Sequence, residues 1–140
     1  MNDILNKLTE AQKLAMSIRP LSAGFPVLAE VLRQAGALIN RWSLPSCQSI
    51  YLMNNHEAVV QQGTPLITGN YLIPQFNQEA LILAIRNDQA AHSTFPEFLQ
   101  ASWEAGVIGY DVDFTARKVR YYGVYGESYV EEYPAVTIEV

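Results

Sequence analysis

The stretch that decides the fold runs from Thr94 to Gly123 and reads TFPEFLQASWEAGVIGYDVDFTARKVRYYG. Thr94 is a candidate helix cap, and Pro96 stands where the first turn tolerates a missing N–H. Phe95, Phe98 and Leu99 form an apolar helical stripe, and Gly106 supplies a left-handed stop. The period then changes to two: Ile108, Tyr110, Val112 and Phe114 point one way, and Gly109, Asp111 and Asp113 the other. A second strand follows over roughly Lys118 to Gly123. If residue numbers pair to a constant sum of 231, Tyr110 meets Tyr121, Val112 meets Val119, Asp111 meets Arg120 and Asp113 meets Lys118. Apolar partners then share one face and opposite charges the other.

A diverged copy lies 70 positions earlier, beginning at Phe25 with FPVLAEVLRQAGALINRWSLPSCQSIYL. Phe25, Leu28, Leu32 and Ala35 repeat the stripe, Gly36 the stop, and Leu38, Asn40, Trp42 and Leu44 the inward strand positions, with a partner strand over Gln48–Met53. Aligned without a gap over residues 25–60 and 95–130, seven pairs are identical: Phe25/Phe95, Pro26/Pro96, Ala35/Ala105, Gly36/Gly106, Tyr51/Tyr121, Glu57/Glu127 and Val60/Val130. These fall on structural punctuation, as a real repeat requires. The expected fold is therefore α+β: two αββ-type repeats related by pseudo-twofold symmetry, with a mainly antiparallel sheet and helices packed on one face. A lone unit would expose its apolar face, so the halves should fold together as a single domain over residues 1–140.

Around these copies the remaining segments are simpler. Ile4, Leu8, Ala11, Ala15 and Ile18 recur at helical spacing, with Asn2 or Asp3 as cap and Pro20 as stop. Residues 61–76, punctuated by Gly63, Pro65, Gly69 and Pro74, read as a crossing connection with one strand. A helix capped by Asn77 should pack Leu81, Ile82 and Ile85, expose Arg86, Asp88 and Gln89, and end at His92. Residues 128–140 read as strand, limited by Pro134.

Composition narrows the function classes. The 140 residues are 49% hydrophobic and 16% charged, values of a folded domain long enough to bury a core. A net charge of −5 disfavours nucleic acid and anionic membrane as partners. Met1-Asn2-Asp3 lacks the basic start of a targeting segment, and the longest apolar run, residues 80–85, is too short to span a bilayer. One cysteine makes no internal disulfide and no metal cluster, so a reducing cytoplasm is expected.

No catalytic set stands out. Asp111 and Asp113 share a strand face, where two carboxylates can hold a hard cation or divide acid and base roles. The cross-strand Lys118 and Arg120 offer a plainer use, and the earlier copy has Arg41 and Ser43 instead. Cys47, in the tip Leu44-Pro45-Ser46-Cys47-Gln48, has no base at a spacing that would activate it. His56 and His92 are too few for zinc. No cofactor and no metal are expected. Tyrosines crowd the last third, a composition suited to sheet packing and equally to a binding surface.

Several runs carry a family resemblance: Ala84-Ile85-Arg86-Asn87-Asp88-Gln89-Ala90, Thr94-Phe95-Pro96, Tyr110-Asp111-Val112-Asp113 and Val119-Arg120-Tyr121-Tyr122-Gly123. Leu44-Pro45-Ser46-Cys47-Gln48-Ser49 and Gln62-Gly63-Thr64-Pro65-Leu66 belong with them. Together they resemble the bacterial family catalogued as domain of unknown function 1398, some members of which are labelled phage envelope protein. The resemblance covers residues 25–136 and implies a fold, with no catalytic residue to carry over. The leading expectation is a non-enzymatic interaction module that self-associates or binds another protein. The alternative is a small-molecule binding protein with a pocket between the repeats, lined by Trp42, Tyr51, Tyr110 and Tyr121. A third is an enzyme using Asp111/Asp113 or Cys47.

Overall fold

The computed structural model describes residues 3–18, 25–90 and 92–137. In chain order they form α1 (Asp3–Ile18), α2 (Phe25–Gln34), β1 (Ala37–Ser43), β2 (Gln48–Met53), β3 (Ala58–Gln62), α3 (Gln78–Gln89), α4 (Phe95–Glu104), β4 (Gly109–Asp113), β5 (Lys118–Tyr122) and β6 (Ser128–Glu132). All six strands join one antiparallel sheet in the order β3-β2-β1-β4-β5-β6. The α+β expectation holds at this level.

Local chemistry explains where α3 and α4 begin. Asn77 caps α3, its Oδ1 accepting from Ala80 N at 3.0 Å. Thr94 and Glu97 form a reciprocal box on α4: Glu97 N donates to Thr94 Oγ1 at 3.3 Å and Thr94 N to Glu97 Oε1 at 2.8 Å. In α1, Ile4, Leu8 and Ala11 are buried, as their spacing predicts. The expected cap at Asn2 and the stop at Pro20 lie outside the described residues, as do the side chains of Asp3, Ala15 and Ile18.

The β4–β5 register is the one the sum of 231 predicts: Tyr110↔Tyr121, Asp111↔Arg120, Val112↔Val119 and Asp113↔Lys118. The charge ladder is not. Asp113 Oδ1 instead accepts from Thr115 N and Ala116 N at 3.1 and 2.9 Å, closing the hairpin turn. Asp111 Oδ1 lies 3.7 Å from Arg41 Nε on β1, and Arg120 sits over the Tyr122 ring at 5.1 Å.

Three other expectations need correction. Leu38 is 42% exposed rather than inward, because a bulge between Ala37 and Ile39 adds one residue to β1 and passes the inward position to Ala37. The connection contributes no strand after Gln62: the third strand, β3, starts earlier at Ala58, so each half carries three strands rather than two. Gly63 and Pro65 follow at once and end the ladder. Finally, α3 stops at Gln89, leaving His92 exposed beyond the helix, its N–H donating to Asn87 O at 2.8 Å.

By alternation and register, Asn40, Trp42, Tyr51, Gln61, Tyr110, Val112, Val119, Tyr121 and Glu131 share one sheet face. Residues of all four helices meet them there around a common cavity. The alternate positions are more open, with Arg41 and Arg120 exposed and Val60 and Val130 about half exposed.

Candidate functional site

Five aromatic side chains close a circuit against that face. Trp42 on β1 stacks on Tyr110 of β4 (6.1 Å between centroids), and Tyr110 leans on Tyr121 of β5 (5.5 Å). Tyr121 meets Phe98 of α4 edge-on (6.4 Å), Phe98 stacks on Phe95 (6.5 Å), and Phe95 returns to Trp42 edge-on at 5.4 Å. These separations and tilts are the ones that ring quadrupoles favour. Two features of the chain build the circuit. Phe95 and Phe98 are three apart on a helix, hence on one face. Tyr110 faces Trp42 across β1–β4 and Tyr121 across β4–β5.

The circuit is one wall of a cavity of about 300 Å³. On the α2 side the wall continues with Phe25, Leu28, Leu32, Val112, Phe114 and Tyr133, where Phe25 and Tyr133 meet edge-on at 5.1 Å. At roughly 30 Å³ per liquid water, this is room for about ten waters or one small organic molecule. The dominant wall chemistry is apolar and aromatic, with a minority of polar groups among the lining residues.

Those groups are held in place. Gln12 of α1 and Gln61 of β3 exchange amide hydrogen bonds, Nε2 to Oε1, at 2.8 and 3.0 Å. The buried Asn40 donates from Nδ2 to Ser49 Oγ at 2.7 Å and to Ile50 O at 3.3 Å. Arg86 grips Glu131 with both nitrogens, at 2.7 and 3.0 Å, tying α3 to β6, and Tyr129 donates its hydroxyl to the same carboxylate. The Arg86 contact holds Glu131 below the usual carboxylate range, against the opposing effect of its burial. Asp88, Gln89 and Glu132 also line the cavity.

Burial pushes the Tyr110 phenol well above its ordinary range, and the nearby Tyr121, Tyr51 and Asp88 add to the effect. Burial likewise raises Tyr121 and Tyr51, the latter opposed by a hydrogen bond with Gln12, and pushes Tyr133 up to about 12. At neutral pH all four are neutral hydroxyls, able to donate or accept.

All four residues named from sequence, Trp42, Tyr51, Tyr110 and Tyr121, line this cavity. Phe95 and Phe98 were readable only as a helical stripe, because a packing stripe and a cavity wall have the same period. Gln12, Gln61 and Asp88 carried no signal, since distant segments bring them together. The other candidates lie elsewhere. Asp111 and Asp113 belong to the opposite sheet face. Cys47 is buried in the β1–β2 turn at φ 55°, and burial pushes its thiol up, away from the reactive thiolate. His56 is an exposed turn residue at φ 70°. Among the described residues, no group of three or more His, Cys, Asp or Glu is placed to hold a metal ion. No helix among them is long and apolar enough to cross a membrane.

No family model matches this chain. Relatives are found by direct comparison. The chain is 43% identical over 136 residues to the uncharacterized protein Rv2012 of Mycobacterium tuberculosis strain H37Rv, covering 97% of this chain and 82% of the relative. The uncharacterized protein Mb2035 of Mycobacterium bovis matches with the same identity and coverage. The chain belongs to the family of these mycobacterial proteins.

Proposed function

We propose that the protein binds a small, largely apolar molecule in the cavity between its sheet and its helices. The observation that carries this reading is the cavity itself, about 300 Å³ behind a closed circuit of five aromatic rings, drawn from three strands and a helix. Packing alone would favour filling such a space, because voids that size forfeit dispersion contacts. The test uses N-phenyl-1-naphthylamine, an uncharged dye that brightens in apolar surroundings. The native chain should enhance its emission saturably. Leu28→Trp, which places an indole in the cavity, should weaken binding at least tenfold without lowering the melting temperature. Unchanged binding by a folded Leu28→Trp protein would place the dye elsewhere and overturn the reading.

The cavity reading draws on a duplicated architecture. We infer that residues 3–62 and 78–132 are copies of one ααβββ unit, related by a pseudo-twofold axis. Among the described residues, six of the seven with positive φ pair off at the 70-residue displacement: Gly36 with Gly106, Cys47 with Arg117, and His56 with Gly126. The hydrogen bonds Leu44 N to Ile108 O and Phe114 N to Leu38 O interchange under the same displacement. So do Gly63 N to Cys47 O and Tyr133 N to Arg117 O. On this reading Arg41 pairs across β1–β4 with its own counterpart, Asp111, and the axis passes between them. We also assign the family to domain of unknown function 1398, on the motifs quoted above, and the protein to the cytoplasm, on its lone buried cysteine.

A second reading, a self-associating interaction module, is favoured by one surface. Leu72 and Tyr125 are 95% and 90% exposed, beside exposed Tyr71, Ile73 and Val124. A contiguous apolar surface is unusual on a monomer. Sedimentation velocity should then show a concentration-dependent dimer that Leu72→Ser abolishes. A strict monomer across the concentration range would remove this reading.

A further inference from the structure

We infer that two copies of the chain pair through the open edge of β3, in an antiparallel β3–β3 ladder centred on Val60 that joins their sheets into one. The sheet ends in β3 on one side and β6 on the other. The bonds Met53 N to Glu57 O and Gly63 N to Cys47 O flank the β2–β3 ladder and fix its phase. Antiparallel pairs alternate between bonded and unbonded, so Val59 and Gln61 turn their N–H and C=O groups toward β2. Ala58, Val60 and Gln62 turn theirs outward, and among the described residues no backbone hydrogen bond outside the ladders reaches them. On β6, the bonds Gly123 N to Glu127 O and Tyr133 N to Arg117 O turn Ser128, Val130 and Glu132 outward in the same way.

The two edges differ in chemistry. β3 reads Ala-Val-Val-Gln-Gln, with no charge, whereas β6, seventy positions on, reads Ser-Tyr-Val-Glu-Glu. Charged side chains block an exposed edge, and a β-branched edge without them is a template for another strand. The edge of β3 is also complementary to itself. A twofold axis at Val60 sets Val60 of one copy against Val60 of the other, and Ala58 against Gln62 on both sides. Every outward N–H then meets an outward C=O, and Val60, 58% exposed alone, gains a cross-strand partner. The nearest charged residue, Glu57, falls opposite Gly63 rather than opposite another charge. The axis closes the assembly, so both outer edges of the joined sheet are β6 with its glutamates. Five residues a side make a small interface, and the dimer is accordingly weak and concentration-dependent. It is distinct from the apolar surface at Leu72 and Tyr125, which adjoins the turn between β5 and β6.

The test is sedimentation velocity of the full chain over a wide concentration range, with amide exchange followed by NMR at low and high concentration. The native chain should pass from monomer to dimer and stop there. On dimerisation the amides of Ala58, Val60 and Gln62 should exchange at least tenfold more slowly, while those of Ser128, Val130 and Glu132 keep their rates. Val60→Pro removes an N–H that the chain's own ladder does not use, so the fold should persist and dimerisation weaken at least tenfold. If that variant does not fold, Val60→Lys, at an exposed position, sets two like charges face to face and should weaken the dimer likewise. A dimer that the folded Val60 variant leaves unchanged would overturn the inference. If Leu72→Ser abolishes that dimer, the self-association reading at the Leu72 surface stands without it. Growth beyond the dimer would mean that copies join in an open chain, which also overturns the closed β3–β3 pairing. A strict monomer removes both, and leaves the cavity reading untouched.

Discussion

Gly36 and Gly106 hold the same left-handed backbone, at φ 104° and 88°, yet their surroundings differ. A Cβ at Gly36 would meet the Asn54 side-chain oxygen at 2.9 Å, an atom that can swing away. At Gly106 it would meet backbone atoms of Phe76 at 2.5 Å, where the crossing segment is fastened by Asn77 N to Ala105 O at 2.8 Å. Left-handed strain alone costs about 1–2 kcal/mol for a non-glycine residue. Gly36→Ala should therefore lose roughly that amount. Gly106→Ala should lose distinctly more, because the backbone of the connection must also move. Urea unfolding of the two variants checks the order, and equal losses would mean the crossing segment yields freely. Both glycines were legible as helix stops. The contact that separates them was not, since nothing in residues 63–77 announces where that segment touches down.

Among the elements, α4 carries the most local instruction. Its box at Thr94 and Glu97 satisfies two backbone N–H groups, and the helix presents Phe95 and Phe98 to the cavity. Thr94→Ala should destabilise the protein by about 1 kcal/mol, as cap removals typically do. Thermal unfolding measures this, and no change would mean the helix start is fixed by packing alone. The β4–β5 hairpin was equally readable, because alternation and charge pairing agree on one register. Its charges are used differently: Asp113 turns back on its own loop, and Asp111 reaches the neighbouring strand. Alternation specifies which face a carboxylate leaves from, and not which of several nearby donors it meets. At β1 the reading slipped by one at Leu38, because a bulge is an insertion relative to the partner strand and leaves no mark on the strand's own sequence.

At the scale of the whole molecule, the buried phenols set a limit on alkaline stability. Tyr51, Tyr110, Tyr121 and Tyr133 all have proton affinities raised above that of an exposed phenol, first by burial. A raised acid in the folded state binds its proton when the unfolded chain has begun to lose it. Their contribution is thus complete below the ordinary phenol range near pH 10 and declines as pH rises through it. Denaturant midpoints should hold steady up to about pH 9 and fall steeply above about pH 10. A flat profile to pH 11 would mean these hydroxyls exchange freely with solvent. A cavity-filling ligand should raise the midpoint at every pH below that fall, by mass action on the folded state.

The sequence by itself determined most of the elements. Helix stripes, caps, left-handed stops and strand alternation are local properties, written within a few residues of where they act. It also marked four aromatics, Trp42, Tyr51, Tyr110 and Tyr121, that prove to share one wall. Only the tertiary structure decided that β1 and β4 lie side by side at the centre of one sheet, with no hairpin to join them. That pairing brings Trp42 to Tyr110, closes the circuit through α4, and leaves a cavity lined by residues of all four helices. Contacts between residues about seventy positions apart depend on how whole layers pack, and no short-range pattern encodes the space left between them.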